Sequence, residues 1–190
     1  MDESSKSVEQ EILDVSPYLK LVIDKDARWF QNGIEIVHPE IYKYFNELLE
    51  KTSEDEYQIR LGREVCRVQV EDAPFVVQSI RESEQDGLCI GLNDGSTECL
   101  NPEWFWIGKD NIPYCLVKAG LFHARFSRPA YYALAGYIVP DDDEQNFFLN
   151  VDGHRTPVMT EKPDVSDARQ CPAESRSGSS PNKGHTDSQE

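Results

Sequence analysis

Long hydrophobic runs are missing from this sequence of 190 residues. Its longest apolar stretches, such as Tyr137–Val139 and Phe147–Leu149, are far shorter than the roughly 18 residues that a membrane-spanning helix needs. Residues 1–16 also lack the cationic start and the apolar core of a signal peptide. We therefore expect a soluble, cytoplasmic protein with no membrane among its partners.

Basic residues are scarce as well. The 19 Lys and Arg stand against 35 Asp and Glu, which gives a net charge of -16. A nucleic-acid binder needs a basic face that displaces counterions from phosphates, and anionic membranes attract basic segments. The charge therefore excludes nucleic acid as an ordinary partner. An unknown small ligand or a protein remains, and the oligomeric state stays open.

Recognisable metal, cofactor and catalytic motifs are absent from the sequence. The five Cys include no C-x-x-C pair and the four His show no H-x-x-x-H spacing, so no metal is predicted. Neither a phosphate-binding G-x-x-x-x-G-K-[ST] or G-x-G-x-x-G motif nor a G-x-S-x-G nucleophile motif occurs. We predict no cofactor, we identify no catalytic residue, and we interpret the cysteines as reduced core residues.

Composition divides the chain into four segments. Residues 1–16 are an acidic N-terminal extension, in which a short helix is predicted. Residues 160–190 contain no aromatic residue and no Leu or Ile, so they cannot bury enough apolar area to offset the entropy of ordering them, and we predict a disordered tail. Between these segments, residues 17–100 hold a first repeat and a connecting hairpin, and residues 101–159 hold a second repeat.

The first repeat is predicted as a hairpin, a helix and a second hairpin. Two β-prone runs meet at Asn32-Gly33, which is a strong signal for a two-residue turn. Pro39 opens a helix predicted over residues 39–51, because the apolar residues of this segment recur on one helical face. Two further strands are predicted around Gly62.

The same order of elements recurs in the second half. Strands flank Ala119-Gly120, Pro129 opens a helix predicted over residues 129–139, and further strands flank Asp152-Gly153. These landmarks lie roughly 90 positions after their counterparts, which indicates an internal repeat. We predict an α+β fold with two repeated β-hairpin–helix–β-hairpin motifs and antiparallel sheets. The alternative is a chance recurrence of common hairpins and helices.

A connecting hairpin is predicted between the two repeats, with Asp94-Gly95 as a two-residue loop. This loop pairs Asn93 with Ser96. Cys89 and Cys99 are then offset by one residue and point to opposite faces of the sheet. The predicted register therefore argues against a disulfide between these two cysteines.

Several of these landmarks together form a recognisable pattern. They are Asp26 and Trp29 in the first hairpin, the helix entry Gly33–Pro39, the string V-E-D-A-P-F at Val70–Phe75, and the run GLFHARFSRPAYYAL at Gly120–Leu134. This pattern resembles the bacterial family named domain of unknown function 1285. The resemblance covers residues 19–158. It implies an α+β fold with two repeated motifs and a role in sensing or signal transduction, without an established activity.

One position departs from the family pattern. Relatives usually carry Thr-Pro ahead of the Glu that precedes the V-E-D-A-P-F strand. Here Glu64 matches that Glu, but Leu61-Gly62 stands where the Thr-Pro is expected. The resemblance therefore does not imply, for this chain, any family site that needs that Thr.

Polar residues near the ends of predicted strands are the candidate ligand-binding residues. Glu71 and Asp72 precede Ala73-Pro74, where Pro ends the ladder of hydrogen bonds; they form either a carboxylate pair at a cleft or a structural turn. Arg125 lies on the strand face opposite Phe122 and Phe126. Three roles are open for it: pairing with one of these carboxylates, binding an anionic ligand, or being an ordinary exposed Arg. The full candidate set is Glu64, Glu71, Asp72, Asn93 and Arg125.

The sequence is compatible with three functions. The first is a non-catalytic module that binds a ligand or partner in a cleft between the two repeats. The second is a hydrolase that uses two of the carboxylates as acid and base. The third is a dimeric adaptor that binds through the aromatic run Trp104–Trp106. The alternative for that run is a linker with two of its rings packed in the core.

Overall fold

The computed structural model describes residues 12–83, 87–141, 146–151 and 153–163. Most of the predicted tail and residues 1–11 lie outside this part of the chain, and so do the tip of the second acidic loop and Cys171. Within residues 12–16, where part of a short helix was predicted, the structure has the strand Leu13–Asp14 instead.

The first sheet contains seven strands, and one helix belongs to the same half of the chain. The helix is α1 (Pro39–Leu48). The strands are β1 (Leu13–Asp14), β2 (Leu21–Ile23), β3 (Trp29–Gln31), β4 (Ile34–Glu35), β5 (Leu49–Lys51), β6 (Tyr57–Leu61) and β7 (Glu64–Val70). Their spatial order is β4-β3-β2-β7-β6-β5, and β1 also pairs with β7. The long strand β7 therefore lies at the centre.

The second half of the chain forms a six-stranded sheet, a helix and a three-stranded sheet. The helix is α2 (Arg128–Ala135). The strands are β8 (Phe75–Ser83), β9 (Gly87–Leu92), β10 (Thr97–Cys99), β11 (Phe105–Ile107), β12 (Pro113–Val117), β13 (Phe122–Phe126), β14 (Ile138–Pro140), β15 (Phe147–Val151) and β16 (His154–Pro157). The larger sheet has the order β10-β9-β8-β13-β12-β11, and the smaller has the order β14-β15-β16.

Both large sheets are mixed, which corrects the prediction of antiparallel sheets. β7 runs parallel to β2, with Val70 opposite Ile23, and β13 runs parallel to β8, with Ala124 opposite Phe75. Many residues separate the two strands of each pair along the chain, which gives room for the crossover that parallel pairing needs. The hairpins themselves are antiparallel, so local patterns predicted them while these long-range pairs were missed.

The fold is mostly β-structure with two α-helices in the described residues, an α+β arrangement. The strands of the two halves are distributed differently among the sheets, and the repeated motif stays a prediction. Each helix is followed by three antiparallel strands, β5-β6-β7 after α1 and β14-β15-β16 after α2. The first three strands join the seven-stranded sheet, whereas the last three form a sheet of their own.

Both helices end earlier than the apolar periodicity predicted. The prediction for the first helix ran to residue 51, but Leu49 has extended backbone angles and its buried side chain lies opposite Ile59 of β6. The second helix was predicted to residue 139, and there the β-branched pair Ile138-Val139 pairs with β15 instead. Sheet pairing at each helix end outweighs local periodicity. No helix in the described ranges is long and apolar enough to cross a membrane.

Trp29 anchors the first helix to the first hairpin. Its ring is fully buried, and it contacts Phe45 of α1 edge-on with ring centroids 5.4 Å apart. The indole N–H donates a hydrogen bond of 3.1 Å to Oδ1 of the buried Asn46, whose Nδ2 donates to the carbonyl of Tyr42. The only polar atom of this buried ring is thus satisfied by a side chain that the helix holds in place.

The connecting hairpin has a different register from the predicted one. The backbone N–H of Leu92 donates to the carbonyl of Ser96, so the loop has three residues rather than two. Gly95 takes the positive φ of 86° that this loop geometry requires. As a result Cys99 lies directly opposite Cys89, which corrects the prediction that these residues are offset and point to opposite faces.

Candidate functional site

The segment that links the two large sheets carries the central carboxylate. Residues 71–74 connect β7 to β8, and Ala73 and Pro74 are fully buried. The backbone N–H of Glu71 donates to the carbonyl of Ile23, which extends the parallel pairing up to this link. Asp72 therefore sits at a fixed point where the two sheets meet.

The Asp72 carboxylate is bound by two side chains from the second sheet. Arg125 Nη1 donates to Oδ2 at 3.0 Å, and the Tyr114 hydroxyl donates to Oδ1 at 3.0 Å. Tyr114 and Arg125 are register partners on β12 and β13, so both side chains reach the same carboxylate. Burial, together with the Asp72 carboxylate, raises the pKa of Tyr114 to about 12, which keeps its hydroxyl a donor.

His123 links the same segment to the first sheet. Its Nε2 lies 2.9 Å from the backbone carbonyl of Asp72, and Nδ1 lies 3.3 Å from the Tyr57 hydroxyl. A carbonyl only accepts, so Nε2 carries the proton and Nδ1 of the neutral ring accepts from Tyr57. Burial lowers the pKa of His123 and outweighs the opposing effect of the Asp72 carbonyl, which favours this neutral form.

This arrangement predicts a loss of stability on mild acidification. Because the folded pKa of His123 is lowered, the unfolded chain takes up a proton first, and the free energy of unfolding falls as the pH drops below about 6.5, by up to about 1.4 kcal/mol per pH unit. Urea unfolding at several pH values from 7.5 to 5 measures this. His123→Gln should flatten the dependence, while His38→Gln, at an exposed position, should not. Equal slopes in wild type and His123→Gln would contradict the assignment.

Asn93 connects the hairpin loop to strand β8 and to helix α1. Its Oδ1 accepts from the backbone N–H of Val76 at 2.9 Å, and its own N–H donates to the Val76 carbonyl at 3.0 Å. The Asn93 side-chain amide also donates to the hydroxyl of Tyr42 on α1, which in turn donates to the Ala27 carbonyl at 3.1 Å. Asn93 thus fixes the position of Val76, which is the register partner of Arg125.

A cleft of about 460 Å³ opens beside Arg125. Three of its residues are cationic, namely Lys25, Arg125 and Arg128, and Asp26 is the single acid in its lining. Other residues add an amide, a hydroxyl and apolar surface to the wall. These are Val76, Gln78, Phe126 and Ser127. The cleft thus has a net positive lining in a chain whose total charge is -16.

The structure brings some of the predicted site residues together and separates others. Asp72 and Arg125 form a salt bridge, as one of the alternatives for Arg125 required. Glu71 is exposed, and its Oε2 accepts from the backbone N–H of Lys25 at 3.3 Å, next to the cleft. Asn93 reaches the cleft wall through Val76. Glu64 lies apart, on the rim of a largely apolar cavity of about 110 Å³ on the first sheet.

Other residues of this region were missed by the sequence-based prediction. Tyr114 and His123 complete the Asp72 network, and Lys25 and Arg128 complete the cationic lining of the cleft. The alternation in Gly120–Leu134 placed His123 on the same face as Arg125, which was a usable signal. For Lys25 the signal was only its position in the turn of a hairpin, because it reaches the cleft through tertiary packing.

The aromatic run is mostly part of the core. Phe105 is fully buried and Trp106 is 5% exposed, while Trp104 is half-buried. Trp106 stacks on Tyr114 with ring centroids 5.5 Å apart. Two of the three rings are therefore packed in the core, as that alternative predicted, but Phe105 and Trp106 belong to strand β11 and not to a linker. In the described part of the chain, no group of three or more His, Cys, Asp or Glu is arranged to hold a metal ion.

Comparisons with known proteins agree with this fold. One solved structure, a DUF1285 family protein from Silicibacter pomeroyi DSS-3, matches with a TM-score of 0.62 and 26% identity over 75% of this chain and 80% of that chain. The chain is DUF1285-like. A DUF1285 family protein from Shewanella baltica OS155 shares the fold of this DUF1285-like chain, with a TM-score of 0.55 and 21% identity over 64% of this chain and 94% of that one. No protein-family model and no curated protein matches this chain.

Proposed function

We propose that this protein is a binding module that takes a small anionic ligand, such as a carboxylate or a phosphate ester, in the cleft beside Arg125. The observation that carries the proposal is the cationic lining of that cleft in an acidic protein. A volume of about 460 Å³ suits a small metabolite, since ligand pockets usually span about 300–1,000 Å³. Guanidinium groups are the common choice for recognising carboxylates and phosphates.

The cations around the cleft differ in how firmly they are held. Arg125 is bound by Asp72 at 3.0 Å and its side chain is 28% exposed, so its position is set before any ligand arrives. Lys25 and Arg128 are exposed and can adjust to a ligand. A preorganised charge combined with two adaptable charges lowers the ordering cost of binding while keeping electrostatic attraction. The amide of Gln78 and the hydroxyl of Ser127 add neutral hydrogen-bonding groups.

The cleft also suits the proposal that the chain contains two copies of one motif. Each copy would consist of a hairpin, a helix that starts at a proline, and three antiparallel strands. Lys25 and Asp26 come from the hairpin of the first copy, and Arg125 and Arg128 come from the second. We further propose a cytoplasmic role in signal transduction, in which ligand occupancy is sensed where the two copies meet.

The two other hypotheses have less support. A hydrolase needs two carboxyls in one pocket, whereas Glu71 is exposed, Asp72 is bound by Arg125 and Tyr114, and Glu64 lines a separate cavity. A dimeric adaptor that binds through Trp104–Trp106 needs those rings on the surface, but two of them are buried.

The test is a thermal-shift measurement on the full chain with inorganic phosphate, succinate and adenosine monophosphate as probes. A ligand that binds only the folded state raises Tm as its concentration rises. The double variant Lys25→Gln/Arg128→Gln should weaken binding of the active probe about tenfold, because two exposed cations that attract the anion are lost, each contributing about 0–1 kcal/mol. Lys43→Gln on the exposed face of α1 is the matched control and should bind like wild type. If no anion shifts Tm, or if all variants respond equally, the proposed site is wrong.

A further inference from the structure

Two cysteines face each other on the outer hairpin of the six-stranded sheet. Cys89 on β9 and Cys99 on β10 are Cα partners in the antiparallel register. Two flanking pairs are hydrogen-bonded, since Leu92 N–H donates to the Ser96 carbonyl at 2.9 Å and Leu100 N–H donates to the Leu88 carbonyl at 2.7 Å. Hydrogen-bonded and non-hydrogen-bonded pairs alternate along an antiparallel ladder. Cys89 and Cys99 therefore form a non-hydrogen-bonded pair.

This type of pair brings side chains closest together. Cα atoms of a non-hydrogen-bonded pair lie about 4.5 Å apart, which is inside the range of about 4.4–6.8 Å seen for disulfides. Both side chains also leave the sheet on the same face, because directly opposed residues share a face. A bond between the two sulfurs therefore needs little movement of the backbone.

The pair is accessible to small molecules. Cys99 is exposed and lies on β10, which is one of the two edge strands of its sheet, and Cys89 is half-buried. Cys89 also lines a cavity of about 210 Å³ together with Arg81, its register partner on β8. Cys66 and Cys115, in contrast, are buried, and their cross-strand partners are not cysteines.

We propose that Cys89 and Cys99 form a reversible intramolecular disulfide when they react with a low-molecular-weight disulfide such as oxidised glutathione. The exposed Cys99 thiolate attacks one glutathione sulfur and expels the other glutathione as a thiolate. The Cys89 thiolate then attacks the Cys99 sulfur of this mixed disulfide and expels the second glutathione. Two protein thiols are oxidised, one glutathione disulfide is reduced to two thiols, and the two protons pass from the cysteines to the released thiolates.

The surroundings of the pair favour a reagent that carries negative charge. Arg81 is the cross-strand partner of Cys89 and lines the same cavity, so its positive charge attracts the carboxylates of glutathione. The bond would close a small ring around the hairpin loop, from which Asn93 fixes Val76 and Asp94 binds Lys118 at 2.8 Å. Oxidation would therefore restrain the loop that supports one wall of the candidate cleft. The disulfide itself does not depend on the identity of any ligand there.

The experiment equilibrates the folded full chain with reduced and oxidised glutathione, blocks the remaining thiols by alkylation and maps peptides by mass spectrometry. The wild type and Cys171→Ser, which lacks the cysteine outside the described residues, are treated in parallel. We expect one disulfide, a mass lower by about 2 Da, linked peptides that contain Cys89 and Cys99, and full reversal by dithiothreitol. In Cys99→Ser the linked peptides should disappear, while Cys66 and Cys115 should stay reduced in every protein tested.

Three outcomes would overturn the proposal. One is that Cys89 and Cys99 of the folded protein are both fully alkylated, and so have formed no disulfide, in a buffer that does oxidise the chain when it is unfolded in urea. Another is persistent glutathione adducts on both residues without an internal bond. The third is a wild-type protein in which the bond formed joins Cys171 to one of them instead. A normal circular dichroism spectrum of Cys99→Ser, compared with wild type, ensures that its loss of the link reflects chemistry and not unfolding.

Discussion

Replacing Trp29 with alanine is expected to lower the free energy of unfolding by about 3–5 kcal/mol, the usual cost of removing a large aromatic ring from a core. The ring is fully buried and lies edge-on against Phe45. Its removal leaves a cavity between the first hairpin and α1. It also leaves Oδ1 of Asn46 without the indole N–H that it accepts from. Equilibrium urea unfolding, followed by circular dichroism, measures the change.

Trp29→Phe separates the two contributions. Phenylalanine keeps an aromatic contact with Phe45 but cannot donate a hydrogen bond, so the loss should shrink to about 1–3 kcal/mol, the cost of a buried polar group left unpaired plus a small cavity. Tyr44→Ala, at an exposed position on the same helix, is the control and should change stability much less. If Trp29→Ala costs no more than this control, the hairpin and the helix are not held together in the way described.

Replacing Asp72 with alanine is expected to cost about 2 kcal/mol. A fully buried ion pair that loses one partner costs about 3–5 kcal/mol, whereas exposed pairs contribute about 0–1 kcal/mol. The side chains of Asp72 and Arg125 are 25% and 28% exposed, so the value should fall between these limits. The change also removes the acceptor of the Tyr114 hydroxyl. Urea unfolding at pH 7 gives the number.

A double-mutant cycle tests whether this loss comes from the pair itself. Asp72→Ala combined with Arg125→Gln should cost clearly less than the sum of the single changes, because the second substitution removes the charge that the first leaves unpaired. Asp72→Asn is the conservative comparison, since it keeps an oxygen for Tyr114 and should retain part of the stability. Additive single and double variants would mean that Asp72 and Arg125 act independently.

Local sequence patterns predicted the parts of the fold that depend on near neighbours. Alternation in the strand around Arg125 placed it opposite the phenylalanine face, and burial in β13 confirms this, because side-chain direction in a strand depends only on position. The hairpin turn at Asn32-Gly33 and the helix start at Pro39 are present for the same reason. Local patterns also singled out Arg125 and the neighbouring carboxylates Glu71 and Asp72, but they left open which carboxylate Arg125 pairs with and missed Tyr114 and His123.

The missed features depend on contacts between distant segments. The connecting hairpin differs in register from the prediction because both the backbone and the side chain of Asn93 bond to Val76 on another strand. Rules based on the turn sequence alone do not include such contacts. The parallel pairs β2–β7 and β8–β13 join segments far apart in sequence. The cationic cleft follows from those pairings, since Lys25 and Arg125 approach each other only after both sheets have formed.

The link at residues 71–74 has a consequence for how the molecule unfolds. β7 and β8 each have neighbours on both sides within their own sheets, and four residues with a buried Ala73-Pro74 step connect them. Because this short link joins a central strand of one sheet to a central strand of the other, unfolding either sheet disturbs the middle of its neighbour. We therefore expect the two large sheets to unfold as a single cooperative unit, with partial unfolding confined to their outer strands and to the separate three-stranded sheet.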